Sequence, residues 1–467
     1  MQALNKEERD YLDWVKDSIF YQIFPDRFYR KDGGSTAAEL ASWQDVPTRK
    51  NFFGGNIPGI IEKLEYLEEL GINAIYLNPV FRAGTNHRYD TFDYFRVDTL
   101  LGTNEDLKRL AQEAHRRGIR VLLDGVFNHC GLGFSPFADV LEKGAASPYS
   151  NWFIIDSFPV ETSPPNYQTC GGEYYLPKLN MENPEVQDFV IKVAKHWLRE
   201  AEIDGWRLDV PWKVPISFWQ KFRKTLKQIN QQIFLTGEIW RDGRDWLAGD
   251  TFDSIMNYQL REYILDFYVR GTMDAEDFAF ELRRLLSSQG DSAFFQLNLL
   301  SSHDTPRIYT LCKENPHTLF IALVFIFTYV GVPMIYYGDE IGMTGNNDPD
   351  CRKAMIWEKE EWNLHINQMY KKLIHLRKEN PALRFGGFKI LKVFNNIFAF
   401  CRYYSDNILI IVMNAGYTQS HVGIPLPEEA SEKRIWQDLL SLQKFYARDG
   451  FIYLDHLSAR SSLILSA

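Results

Sequence analysis

The sequence predicts an α/β protein built on a (β/α)8 TIM barrel, with a long-loop subdomain after the third strand and a C-terminal antiparallel β domain. Three observations carry that expectation. Short apolar runs alternate with amphipathic helical patterns eight times. One connection, residues 128–183, is rich in Gly, Pro, Ser and aromatics and far too long for a turn, which marks a lid or small subdomain. Beyond Pro381 the helical periodicity stops, and short β-type runs separated by turn residues take over.

Taken in order, strands are expected at residues 18–24, 74–77, 120–126, 205–210, 233–239, 254–257, 295–300 and 334–337. Helices are expected between them at 59–70, 104–117, 184–200, 217–228, 274–286 and 317–329, and 362–379 closes the circle. The chain therefore divides into a barrel (1–127 and 184–383), the loop subdomain (128–183) and the β domain (384–467). In the last, β runs are expected at 388–393, 397–403, 408–414, around Val422, at 433–436 and at 461–465. The apolar stretch 319–337 imitates a membrane span. Gly331, Val332 and Pro333 interrupt it and Gly338-Asp339-Glu340 follows, so it reads as a buried helix, a turn and a buried strand.

Composition excludes several classes. Hydrophobic residues at 45% and charged residues at 24% are ordinary globular usage, which argues against disorder. A net charge of −9, from 52 basic and 61 acidic residues with no basic block, argues against a nucleic-acid partner. Cys130, Cys170, Cys312, Cys351 and Cys401 show no CxxC spacing, and their odd number leaves one unpaired, which points to a reducing compartment and no zinc site. The first residues are polar, without the apolar core of a signal peptide, so a cytoplasmic location and no membrane partner are expected. Aromatics at 15% fit a large core and also supply flat rings on which sugars stack.

The chemistry gathers at strand ends, where such barrels carry their active sites. The fourth strand delivers Asp209 to its terminus, and Arg207, two residues earlier, shares its face. A neighbouring cation favours an ionised carboxylate, which a nucleophile needs. Alone, the pair reads equally well as a structural ion pair at a rim. The third strand ends Asp124-Gly125-Val126-Phe127-Asn128-His129, the fifth Gly237-Glu238-Ile239-Trp240, and the seventh Ser302-His303-Asp304. Carboxylates crowded in a cleft repel, a poor stability device. They suit acetal scission, which needs one ionised carboxylate and one held protonated.

These four segments resemble the four signature regions of the α-amylase family of glycoside hydrolases, in the family's order and on its expected strands. Leu176-Pro177-Lys178-Leu179-Asn180 resembles the fifth region of the neopullulanase, cyclomaltodextrinase and maltogenic amylase group, and residues 237–240, 298–307 and 337–342 also read like that group. The resemblance implies a retaining α-glucan hydrolase acting on cyclomaltodextrins, maltooligosaccharides and pullulan, with transglycosylation where a sugar replaces water. A 4-α-glucanotransferase or an ordinary α-amylase of the same fold is the alternative. It implies Asp209 as nucleophile, Glu238 as general acid/base, Asp304 as the third acid and Arg207 as the residue positioning Asp209. By the same resemblance His129 and His303 bond glucose hydroxyls and Tyr89, of Asn86-His87-Arg88-Tyr89-Asp90, stacks on the ring. Asp348 and Arg352 hold the next glucose, and Trp240 is an acceptor-side platform.

The sequence departs from that group in three places. No N-terminal β domain is expected, because the barrel pattern begins by Trp14, so the group's dimer does not carry over and a monomer or homodimer is expected. Pro211-Trp212-Lys213 follows Val210 where the group has small residues, which resembles a branch of cyclomaltodextrinase-like debranching enzymes lacking the N-terminal domain. Arg30-Lys31-Asp32-Gly33-Gly34 stands where the group's calcium loop is rich in Asn and Asp, so no cofactor and no obligatory calcium are expected, although Asn128 matches a residue of the α-amylase calcium site.

Overall fold

The computed structural model describes residues 11–31 and 40–467, so the first ten residues and Asp32-Gly33-Gly34, in the segment that stands where the group has its calcium loop, lie outside the described residues. Among the described residues ten strands precede the C-terminal region: β1 (Phe20–Ile23), β2 (Ala74–Leu77), β3 (Phe81–Ala83), β4 (Thr91–Val97), β5 (Arg120–Gly125), β6 (Gly205–Leu208), β7 (Phe234–Gly237), β8 (Ser254–Ile255), β9 (Leu297–Leu299) and β10 (Val332–Tyr336). Eight of them form one parallel sheet in the order β8-β7-β6-β5-β2-β1-β10-β9, and a parallel bridge from Met256 to Leu297 joins its two ends into a closed barrel.

Side chains alternate along each strand, so every second residue faces the barrel interior. Nearer the strand starts these residues are Phe20, Ala74, Leu122, Gly205 and Phe234, none of them polar, and Trp14 packs beneath against Phe20 and Phe234. Two residues further along each strand comes a polar row, Gln22, Tyr76, Asp124, Arg207 and Thr236, and the stagger of the strands pairs Tyr76 with Leu122 and Asp124 with Arg207. Gly205 has to be glycine, because a Cβ there would stand 2.3 Å from the Phe234 carbonyl oxygen. Outward-facing Ile75, Leu77, Val121, Leu123, Trp206 and Leu208 pack under the helical ring.

The helices begin where capping chemistry permits. Asn183 caps Pro184–Glu200, Asn315 caps Pro316–Thr328 and Thr103 forms a capping box with Asp106, so orphan amides are met and proline occupies a first turn that lacks partners anyway. Pro316–Thr328 is buried along most of its length and leads into β10, the expected helix, turn and strand. Among the described residues no helix is long and apolar enough to cross a membrane.

Several expectations need correction. The helix expected at 59–70 is two, Ile57–Glu62 and Leu64–Leu70, broken at Lys63, whose ammonium sits over the rings of Tyr29 and Trp357. The strand expected at 205–210 stops at Leu208 because Val210 has φ 43°. The strand expected at 295–300 is Leu297–Leu299 because a 3-10 helix occupies Gly290–Phe295, so Asp304 lies in the loop beyond the strand end. The β3–β4 hairpin was not foreseen, and its connection carries Tyr89.

The C-terminal sheet comprises β11 (Gly387–Phe394), β12 (Ile397–Tyr404), β13 (Asn407–Asn414), β14 (Gln419–Pro425), β15 (Ile435–Asp438), β16 (Lys444–Arg448), β17 (Phe451–Leu457) and β18 (Ser461–Ser466), paired antiparallel in the order β11-β12-β13-β18-β15-β16-β17-β14. β16 and β17 were not expected. Alternation buries β12 and β13 on both faces: Phe398, Phe400, Leu409, Ile411 and Met413 join the barrel's cluster, while Ile397, Ala399, Ile410 and Val412 fill a separate core with Trp436. Buried Arg402 donates to the carbonyls of Thr328 and Tyr329 at 2.7 Å each and to those of Gly386 and Gly387, fastening sheet to barrel.

Candidate active site

The polar row opens into a cavity of about 600 Å³ at the C-terminal ends of the strands, lined by Tyr89, His129, Asp209, Glu238, His303, Asp304, Asp348 and Arg352 among others. Asp209 follows β6 and Glu238 follows β7 directly, so two neighbouring parallel strands deliver two carboxylates to one mouth. Arg207 binds both. Its Nη1 lies 2.8 Å from Asp209 Oδ1, and its Nη2 lies 3.3 Å from Glu238 Oε2. The same Nη1 is 2.9 Å from Oδ1 of Asp124, which also accepts from the hydroxyls of Tyr76 and Tyr89. Asp124 is thus held by three donors, leaving Asp209 and Glu238 facing the cavity.

Burial pushes the carboxyls of both Asp209 and Glu238 up, and Arg207 opposes the rise in each. Arg207 stands beside Asp209 as expected and favours its ionised form, against the larger effect of burial. Glu238 raises the Asp209 carboxyl further, so the two titrate as a coupled pair. Glu238 also accepts the Val210 amide at 3.0 Å through Oε2 and the Trp240 indole N–H at 2.8 Å through Oε1, whereas Asp209 Oδ2 is buried with no hydrogen-bond partner and so is free to act.

The histidines are neutral. Burial lowers His129 to about 4 and His87 to about 3, and drives His303 well below its usual value. The Gln22 amide donates to His303 Nδ1 at 2.8 Å, which leaves the proton on Nε2, 3.1 Å from Asp304 Oδ2 and 2.6 Å from the Tyr89 hydroxyl. His129 Nδ1 is 4.0 Å from Asp209 Oδ2, and its Nε2 is buried without a partner. Tyr89 stacks on the His303 ring at 5.5 Å and 7°. Arg352 reaches Asp304 at 3.2 Å and Asp348 at 3.0 Å and donates to the His303 carbonyl at 2.8 Å. Trp240, 41% exposed, lies at the edge of the site, stacked on Tyr258 at 3.7 Å.

The long loop closes one side. The Leu179 amide donates to the Asn128 carbonyl and the Cys130 amide to the Pro177 carbonyl, so residues 176–180 run beside the continuation of β5 and bring Cys170, Glu173 and Tyr175 to the cavity wall. His87, Arg49 and Lys50 also line it and were not foreseen as site residues. His87 lies within the quoted Asn86-Asp90 motif, where an adjacent tyrosine could have flagged it. Arg49 and Lys50 sit in a featureless polar stretch. Among the described residues no group of three His, Cys, Asp or Glu side chains converges as a metal site. Arg30 donates to the Phe53 carbonyl and Lys31 pairs with Glu62 at 3.5 Å, so the described part of the segment that stands where the group has its calcium loop presents two cations.

Residues 22–382 match the model of the α-amylase catalytic domain. A cyclomaltodextrinase of Geobacillus thermopakistaniensis is 44% identical over 442 residues, 93% of this chain and 74% of that protein. Neopullulanase 2 of Thermoactinomyces vulgaris is 42% identical over 449 residues, 95% of this chain and 76% of that protein. Among solved structures, cyclic α-maltosyl-(1→6)-maltose hydrolase of Arthrobacter globiformis, in complex with that sugar, superposes with a TM-score of 0.89 at 39% identity, covering 97% of this chain and 99% of that one. With an eight-stave barrel, three acids at one mouth and a family match spanning most of its length, the chain belongs to the α-amylase family of glycoside hydrolases.

Proposed function

We propose that the protein is a retaining α-glucan hydrolase in which Asp209 is the nucleophile and Glu238 the acid and then the base. The supporting observation is the shared guanidinium: Asp209 and Glu238 contact the two terminal nitrogens of Arg207 inside one cavity. Carboxylates held on one cation suit the narrow spacing of retaining enzymes, roughly 5 Å, with no room for a water between them. Asp209 attacks the anomeric carbon as the carbon–oxygen bond breaks, and the leaving oxygen takes its electron pair and the proton of Glu238. Water then attacks the ester, giving its proton back to Glu238 and freeing Asp209. A sugar hydroxyl in place of water yields transglycosylation.

Neutral His129 and His303 supply hydrogen bonds to glucose hydroxyls, Tyr89 a stacking surface, Asp304 a grip on the distorted ring, and Asp348 with Arg352 a seat for the next glucose. No metal and no cofactor enters this reading, because Arg207 supplies the positive charge that the acids require. Cyclic and short linear α-1,4-glucans, with pullulan, are the substrate class we assign, and free cysteines at all five positions fit a reducing cytoplasm.

Chromatography of products from β-cyclodextrin, maltotriose, pullulan and starch tests this. Ring opening should outpace starch digestion, and Asp209→Asn should lower kcat by at least ~10⁴-fold, since the covalent step is removed. Full activity in that variant would end the proposal, and efficient internal attack on starch would move the substrate class to that of an ordinary α-amylase.

A further inference from the structure

The indole of Trp240 touches the acid/base itself, which a sugar platform would not need to do. Its Nε1–H donates to Glu238 Oε1 at 2.8 Å, while its ring lies flat on Tyr258 at 3.7 Å and 9°. Tyr258 is fixed in turn, buried to 1% exposure with its hydroxyl on Ser302 Oγ at 3.1 Å. The indole is thus clamped from behind and aimed at one oxygen.

We propose that Trp240 is a positioning residue for Glu238: its N–H anchors Oε1 and sets how readily that carboxyl takes up the proton it must deliver. This rests on reading Glu238 as the acid/base. Oε2 already accepts the Val210 amide at 3.0 Å and faces Arg207 at 3.3 Å, so a proton there would oppose two donors. The proton therefore belongs on Oε1, where it competes with the indole hydrogen bond. Trp240 consequently favours the ionised carboxylate, needed when water is activated, over the acid needed when the leaving sugar departs. A hydrogen bond to the charged form holds a carboxyl's proton affinity down.

Arg207 and Asp209 from the end of β6, Asp304 from the loop beyond β9, Tyr258 and, across the cavity, Cys170 also face Glu238. Trp240→Phe leaves all of these groups in place. Trp240→Phe keeps a ring on Tyr258 and loses the donor, and Trp240→Leu loses both. In both variants the alkaline limb of the pH profile of kcat/KM should move upward by about one pH unit, because Glu238 then stays protonated to higher pH. An unmoved limb with only KM raised would overturn the proposal and leave Trp240 as a platform. A shift in Trp240→Leu alone would assign the effect to stacking and overturn it as well. Glu238→Gln separates the two readings. It should abolish turnover of maltotriose while α-glucosyl fluoride, whose leaving group needs no proton, still forms the glycosyl-enzyme. Unimpaired maltotriose turnover there would bring down the role of Glu238, whereas the expected loss beside an unmoved Trp240→Phe limb would bring down the role of Trp240 alone.

Discussion

Glu340, outside the catalytic cavity, is fully buried and accepts the hydroxyls of Tyr21 at 2.8 Å and Tyr66 at 2.6 Å, yet burial lifts its carboxyl from 4.5 to about 7. A folded-state value above the unfolded one means that its contribution to stability is complete below pH 4.5 and is lost as pH rises through 7, on the order of 3 kcal/mol in all. Glu340→Gln cannot ionise, so its Tm relative to the parent should climb between pH 5 and pH 8; an unchanged difference in thermal unfolding would refute the assignment. In the cavity at the strand ends, the meeting of Asp209, Glu238 and Arg207 was legible because carboxylates at strand ends beside an arginine stand out from any apolar pattern. Gln22 and Tyr76 did not stand out. Each lies in an apolar run that reads as plain strand, and only the register reveals that both belong to the polar row beneath the acids.

At the scale of elements, periodicity located all eight barrel strands but not where their pairing stops. Apolar runs mark burial, and burial continues past the last ladder hydrogen bond, as at Ile239 beyond β7. The turn after β6 shows the cost of ending a strand abruptly. Val210 adopts φ 43° and ψ 46°, a left-handed conformation that a β-branched residue takes only under constraint, and its amide is thereby aimed at Glu238 Oε2. Asparagine tolerates that conformation and keeps the amide. Val210→Asn should therefore stabilise the protein by about 0.5–1 kcal/mol in urea unfolding with the pH profile unmoved. A loss of stability would mean that Val210's packing outweighs its strain. The hairpin that carries Tyr89 escaped notice because its strands hold charged residues on their exposed faces and no tight-turn dipeptide joins them.

Across the whole molecule, the barrel and the C-terminal sheet share one apolar cluster, so they should unfold together. Arg402→Met removes a donor from four carbonyls at the junction and should destabilise the chain by about 2–4 kcal/mol. Urea titrations followed by far-ultraviolet dichroism and by tryptophan fluorescence should stay coincident in the parent; separated curves there would show two independent units. The sheet itself was readable from its apolar strands, whereas β16 and β17 were not, because outward Lys444, Arg448 and Asp455 dilute their alternation. The aromatic floor formed by Trp14, Phe20 and Phe234 seals the barrel beneath the polar row, so the cavity at the strand ends is not reached through the barrel from below. Whatever the cavity binds therefore enters and leaves on the side of the strand ends and their loops.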